Sequence, residues 1–125
     1  MKNEKEKFKS EFRKRVYNWI LRLIKFTDTL PKDISSRIIA SQLIDSGTGV
    51  GSNYIEAQAG SSKKDFTNFL HISLKCANES KFWLIILRDL QRGDQKELEW
   101  LLQEVTEIAD ILAASLLTVK GKRQV

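Results

Sequence analysis

Residues 94–120 read DQKELEWLLQEVTEIADILAASLLTVK, and this stretch decides the fold. Leu98, Leu101, Val105, Ile108, Leu112, Ser115 and Val119 recur in alternating steps of three and four, so they form one apolar stripe along an α-helix. Asp94 and Glu97 make a capping-box-like pair at its start, and Lys120-Gly121 marks its expected end. Upstream, Arg92-Gly93-Asp94 is a turn, with Gly93 suited to the C-terminus of a preceding helix. That helix is predicted over about 63–91, opened by Ser62 and Asp65, and carries two apolar stripes. Phe66, Leu70, Ser73, Ala77, Ser80, Leu84 and Leu87 form one; Phe69, Ile72, Cys76, Trp83, Ile86 and Leu90 form the other.

Ala59-Gly60-Ser61-Ser62 separates it from a helix predicted over about 33–58, with Asp33 near its start and Ile34, Ile38, Ile39, Leu43 and Ile44 as its apolar face. Gly47, Gly49 and Gly51 each cost a helix roughly 1 kcal/mol relative to Ala. Either a neighbouring helix approaches closely there, or the helix breaks. The first helix is predicted over about 4–29, with Phe8, Phe12, Val16, Trp19, Leu23, Phe26 and Leu30 on one stripe. Pro31 stops it or opens the next. The 125 residues thus read as one all-α domain, an up-down-up-down antiparallel four-helix bundle with short links.

The single Cys76 excludes an internal disulfide and a thiolate zinc cluster, and the single His71 excludes a two-histidine metal site. Gly47-x-Gly49-x-Gly51 lacks both the strand and the spacing of a dinucleotide fingerprint. No Ser-His-acid order is suggested. The expectation is a protein with no catalytic residues, no metal and no cofactor, and not an enzyme. No apolar run reaches the length of a membrane span, and the charged start MKNEKEK is unlike a signal peptide, so a cytoplasmic protein with no membrane partner is expected.

Two surface features point to partners. Tyr17, Ile20, Leu21, Ile24, Trp100 and Ile111 lie off the core stripes, as does the second stripe of the third helix. A wide core-facing surface would absorb them; a contiguous exposed patch would make the chain a homo-oligomer, the expectation adopted here. Charge is also sorted. Residues 1–15 carry +4 and residues 120–125 carry +3, which leaves −2 for the rest. In the expected topology both termini and the Lys63-Lys64 turn share one end. Lys2, Lys5, Lys7, Lys9, Arg13, Lys14, Arg15, Lys63, Lys64, Lys120, Lys122 and Arg123 gather there. Such an end suits RNA or DNA phosphates, with Lys9, Arg13, Lys14, Arg15, Lys63, Lys64, Lys120, Lys122 and Arg123 as the candidate contacts. The alternative is that the cations serve solubility on a protein–protein interaction scaffold. Phe8 and Phe12, the aromatics in the basic run, are assigned to the core, so no base-stacking platform is expected. Among core-flanking polar groups, Glu56 is expected near Lys9 or Arg13, Glu79 near Arg22, and Arg15 opposite Asp110.

The block Gln42-Leu43 through SGTGVGSNYIEA (46–57), then Lys63-Lys64-Asp65-Phe66, Ala77-Asn78-Glu79-Ser80 and Phe82-Trp83-Leu84, resembles a bacterial four-helix bundle protein family. That family includes proteins encoded in intervening sequences of 23S ribosomal RNA genes and the accessory variability determinant of diversity-generating retroelements. The resemblance implies a ring-like homo-oligomer, commonly a homopentamer. For the retroelement members it implies nucleic-acid binding and contact with a reverse transcriptase. Asn53, Glu56, Asp65, Phe66, Glu79 and Trp83 occupy the family-marking positions, which the resemblance assigns to helix packing and assembly. The chain departs from the family at Gly47 and Gly49, where Ala or Ser is common, and at Tyr54, where a smaller residue is usual.

Overall fold

Asn3 starts the fold by accepting the backbone N–H of Glu6 at 2.8 Å, which caps α1 (Glu4–Asp28). The computed structural model describes residues 3–123, with the side chains of Lys122 and Arg123 outside that description. Asp33 caps α2 (Ile34–Ala59) through the N–H of Ser36, and Ser62 caps α3 (Lys63–Asp89) through the N–H of Asp65. Asp94 opens α4 (Gln95–Arg123) by accepting from the N–H groups of Lys96 and Glu97. α4 thus runs on through Gly121, past its expected end. The described residues are all-α, with no strand among them.

α1 packs on α2 and α4, and α3 packs on the same two, so α1 and α3 lie diagonally opposite. Leu23, Leu43, Leu70, Leu84, Leu98, Leu101, Ile108 and Leu112 are sealed from solvent around Trp19, whose indole N–H donates to the Leu101 carbonyl at 3.0 Å. The α4 stripe is buried from Leu98 to Leu112, as its spacing implies.

α2 corrects one expectation and decides another. Ile34 and Ile38 are exposed, and the buried face runs instead through Ser36, Ile39, Leu43, Ser46, Gly47, Val50, Tyr54 and Ala57. Of the two readings of its glycines, close approach holds, and the helix runs through them unbroken. Gly47 and Gly51 receive Leu23 and Ile20 of α1, and Gly49 receives Cys76 of α3, each where a Cβ would collide. Buried serines complete this seam: Ser73 donates to the Val50 carbonyl at 2.7 Å, and Ser46 and Ser80 share a hydrogen bond at 2.9 Å.

The α3–α4 link differs in detail from the sequence reading. Gln91, not Gly93, takes the first left-handed position (φ 56°), and Arg92 N–H reaches back to the Leu87 carbonyl in a Schellman motif. Gly93 follows at φ 82°, where a Cβ would collide with Phe26 and Leu30, so it meets both a conformational and a steric demand. Among the described residues no helix is long and apolar enough to cross a membrane.

Candidate nucleic-acid interface

One cleft of about 390 Å³ is lined by Lys5, Phe8 and Lys9 of α1, Tyr54 and Gln58 of α2, Phe66 and Leu70 of α3, and Ser115, Thr118 and Val119 of α4. The start of α1, the end of α2, the start of α3 and the end of α4 therefore share one cleft, which marks one pole of the four helices. Lys63 and Lys64 occupy the first turn of α3 and are exposed. Their charges add to the positive end of that helix rather than complementing it, which raises the local attraction for anions. Lys14 and Arg13 are exposed on α1, Lys9 is half-buried at the cleft, and Lys120 is exposed near the end of α4. The side chains of Lys122 and Arg123, and all of Lys2, lie outside the described residues.

Arg15 stands apart from this group. Its guanidinium donates to Glu104 (2.7 and 2.8 Å) and to Glu107 (2.8 Å) on α4. The hydrogen bond it donates to Glu104 raises its pKa most; burial opposes this, and the bond to Glu107 adds a smaller rise. Asp110, the expected partner, sits one turn beyond Glu107 and is exposed. Glu107 in turn has its pKa lowered, first by the amide of Gln103 and then by Arg15.

The other expected pairs also change. Arg22 pairs with Glu97 and lies 3.4 Å from the ring centroid of Trp100. Glu79 is exposed on α3, and no ion pair with Arg22 is found for it among the described residues. Glu56 is exposed, and no ion pair is found for it among the described residues. At the opposite pole Arg92 bridges the two remaining links, with Asp33 at 3.1 Å and the hydroxyls of Ser35 and Ser36 also within its reach.

Phe8 is the largest departure at the basic pole. The core assignment is wrong for this residue, which is 52% exposed. Its ring lies parallel to that of buried Phe12, with centroids 6.3 Å apart, and Tyr54 meets Phe12 edge-on at 5.0 Å. An aromatic face is therefore present among the lysines, contrary to the expectation from periodicity. The missed signal is in α4: the residues level with Phe8 are Ser115, Thr118 and Val119, too small or polar to close a core layer.

A family profile described as 23S rRNA-intervening sequence protein matches residues 9–114. The chain belongs to this family. It is also similar to the crystal structure of a protein of unknown function from the S23 ribosomal protein family of Bacteroides thetaiotaomicron VPI-5482. The identity is 29%, the TM-score 0.75, and the match covers 84% of this chain and 97% of that one. No curated protein matches the chain.

Within this member of the intervening-sequence family, the residues picked out by resemblance do not form one site. Asp65 and Phe66 sit at the basic pole, where Asp65 N–H is held by Ser62 and Phe66 lines the cleft. Asn53 turns its amide back onto the Gly49 carbonyl at 2.9 Å, beside the α2–α3 seam. Cys76 lies in the same seam, its thiol pKa pushed up by burial and then by Glu79 and Asp45. Trp83 packs edge-on against exposed Phe82 at 5.1 Å, and with Glu79 it lines a shallow concavity on the outer side of α3.

Proposed function

We propose that this family member is a non-enzymatic, cytoplasmic helical bundle that holds RNA or DNA phosphates on its basic pole. The single observation carrying this reading is the cleft that joins the start of α1, the end of α2, the start of α3 and the end of α4. Up-down-up-down antiparallel topology is part of the proposal. It is supported by the pairs Arg15–Glu104 and Arg22–Glu97, in which numbers rise along α1 as they fall along α4. The pairs Ser46–Ser80 and Val50–Ser73 have the same sense between α2 and α3. Assembly into a ring, a homopentamer by the family resemblance, would repeat the cationic pole around an axis. The retroelement reading puts a reverse transcriptase beside the bound strand.

The test is fluorescence anisotropy of labelled RNA and DNA with the full chain at two salt concentrations. Binding that weakens with salt, at a slope near −0.9 per phosphate contact on duplex DNA, is the expected result. No binding at low salt rejects the proposal.

A second reading, a protein-interaction scaffold, is favoured by exposed apolar side chains away from the pole: Tyr17 and Ile55 flank one groove between α1 and α2, and Phe82 stands on α3. Replacing Arg13, Lys14, Lys63 and Lys64 by Glu separates the two. The first reading expects lost nucleic-acid retention with assembly intact, and the second expects partner capture to be unchanged.

A further inference from the structure

We infer that Phe8 is a stacking platform for an unpaired base, so that the basic pole takes single-stranded nucleic acid in preference to duplex. The inference rests on the phosphate-binding reading above and names the class of strand. Phe8 leaves about half its surface open at the cleft mouth. Its ring lies parallel to that of buried Phe12 with centroids 6.3 Å apart, which anchors it at the edge of the core while about half of its surface stays open.

Lys5 and Lys9 line the same cleft as Phe8, as Ser115 and Thr118 do from α4, with Phe66 as part of its apolar lining. Two ammonium groups beside an open aromatic face match a nucleotide, whose phosphate is anionic and whose base has a π-face. The hydroxyls of Ser115 and Thr118 each already donate along their own helix, to the Ile111 and Ala114 carbonyls. They retain lone pairs that accept from a base edge. A base paired in a duplex presents neither of its faces, so this cleft discriminates by strandedness and not by sequence.

Charge complementarity also distinguishes this occupant from a second copy of the chain. The charged groups that line clefts with Phe8 are Lys5 and Lys9 on one side and Arg15 and Glu11 on the other, three cations against one acid. A second basic pole would meet repulsion there, whereas a phosphate chain would not.

The experiment uses the full chain, a labelled 12-nucleotide single strand, the same strand with abasic sites, and the corresponding duplex, all at one salt concentration. The expected result is binding of the intact single strand about tenfold tighter than of the duplex or the abasic strand. Phe8→Leu removes that tenfold advantage while duplex binding holds. Phe8→Trp keeps it, and its indole fluorescence is quenched by the intact strand but not by the abasic one. Equal affinity for all three probes, or a Phe8→Leu effect shared by all three, overturns the stacking inference and leaves phosphate binding standing. A change of molecular mass in light scattering for Phe8→Leu also overturns it, by making Phe8 a subunit contact. No binding of any probe overturns both readings.

Discussion

Gly47 of α2 lies so close to Leu23 of α1 that a methyl group in place of its hydrogen would overlap the leucine's Cδ2 atom. Leu23 is fully buried and Trp19 is the next neighbour, so neither side chain can swing into solvent to make room. Gly47→Ala gains helix propensity of about 1 kcal/mol but overpacks a sealed core, which typically costs 1–3 kcal/mol. An overlap this deep puts the cost toward the upper end of that range, so the expected outcome is a net loss of about 1–2 kcal/mol, measured by urea unfolding. Gly121→Ala is the comparison, because nothing lies within 4 Å of that position. It should leave stability unchanged or slightly raised. A Gly47→Ala protein as stable as the parent would mean that the two helices separate more easily than this contact implies.

Gln91 holds a left-handed backbone at φ 56° to close the Schellman motif after α3. For a residue with a Cβ this conformation costs roughly 1 kcal/mol, and glycine avoids the cost. Gln91→Gly is therefore expected to stabilise the protein by about 0.5–1 kcal/mol, partly offset by the greater freedom of glycine in the unfolded chain. Thermal unfolding followed by circular dichroism checks this; a lowered midpoint would mean that the Gln91 side chain contributes more than its backbone costs.

These positions show which parts of the fold were legible in the sequence. The stripe at 98, 101, 105, 108 and 112 was legible because every one of those residues is large, apolar and buried. α2 was misread on its core face because Ser36, Ser46 and Gly47 are buried there while Ile34 and Ile38 face outward. Close approach of α1 and α3 selects for small residues, and hydropathy does not register size. Of the cations that charge counting assigns to one end, Lys5 and Lys9 line the shared cleft. The exposure of Phe8 was not legible, since periodicity names a face of the helix but not the level at which the last core layer ends. The sequence alone does not select the partner of Arg15, because Glu104, Glu107 and Asp110 recur at helical spacing and only the registry of α1 against α4 chooses among them.

That registry makes Glu104 a restraint on a cation that could otherwise serve the basic pole. Glu104 is the more buried of the two acids on Arg15, at 15% side-chain exposure against 47% for Glu107. Glu104→Gln is expected to cost about 1–2 kcal/mol in stability, because it weakens a partly buried pair, whereas Glu107→Gln should cost no more than about 0.5 kcal/mol. If phosphate binding is the function, freeing Arg15 should also tighten nucleic-acid binding and steepen the salt dependence by up to about 0.9 on duplex DNA. Anisotropy titrations across a salt series read this directly. An unchanged slope would show that Arg15 lies outside the contact surface.

Asp33 links charge to stability at the opposite pole. Hydrogen bonds from Ser36 and Ser35, with a smaller contribution from Arg92, bring its carboxyl down to about 2 from an ordinary 3.8. A carboxyl whose pKa is lower in the folded chain than in the unfolded one stabilises the fold above the unfolded value. That contribution is complete above about pH 4 and disappears as the pH falls toward 2. Asp33→Asn keeps an amide oxygen able to cap α2 but removes the charge facing Arg92. Near neutral pH the variant should melt slightly below the parent. The gap should narrow between pH 4 and pH 2 and vanish at the acid end. Melting curves of the two proteins collected across that range provide the comparison. A gap of constant size would assign the loss to capping geometry and remove the electrostatic link between Asp33 and Arg92.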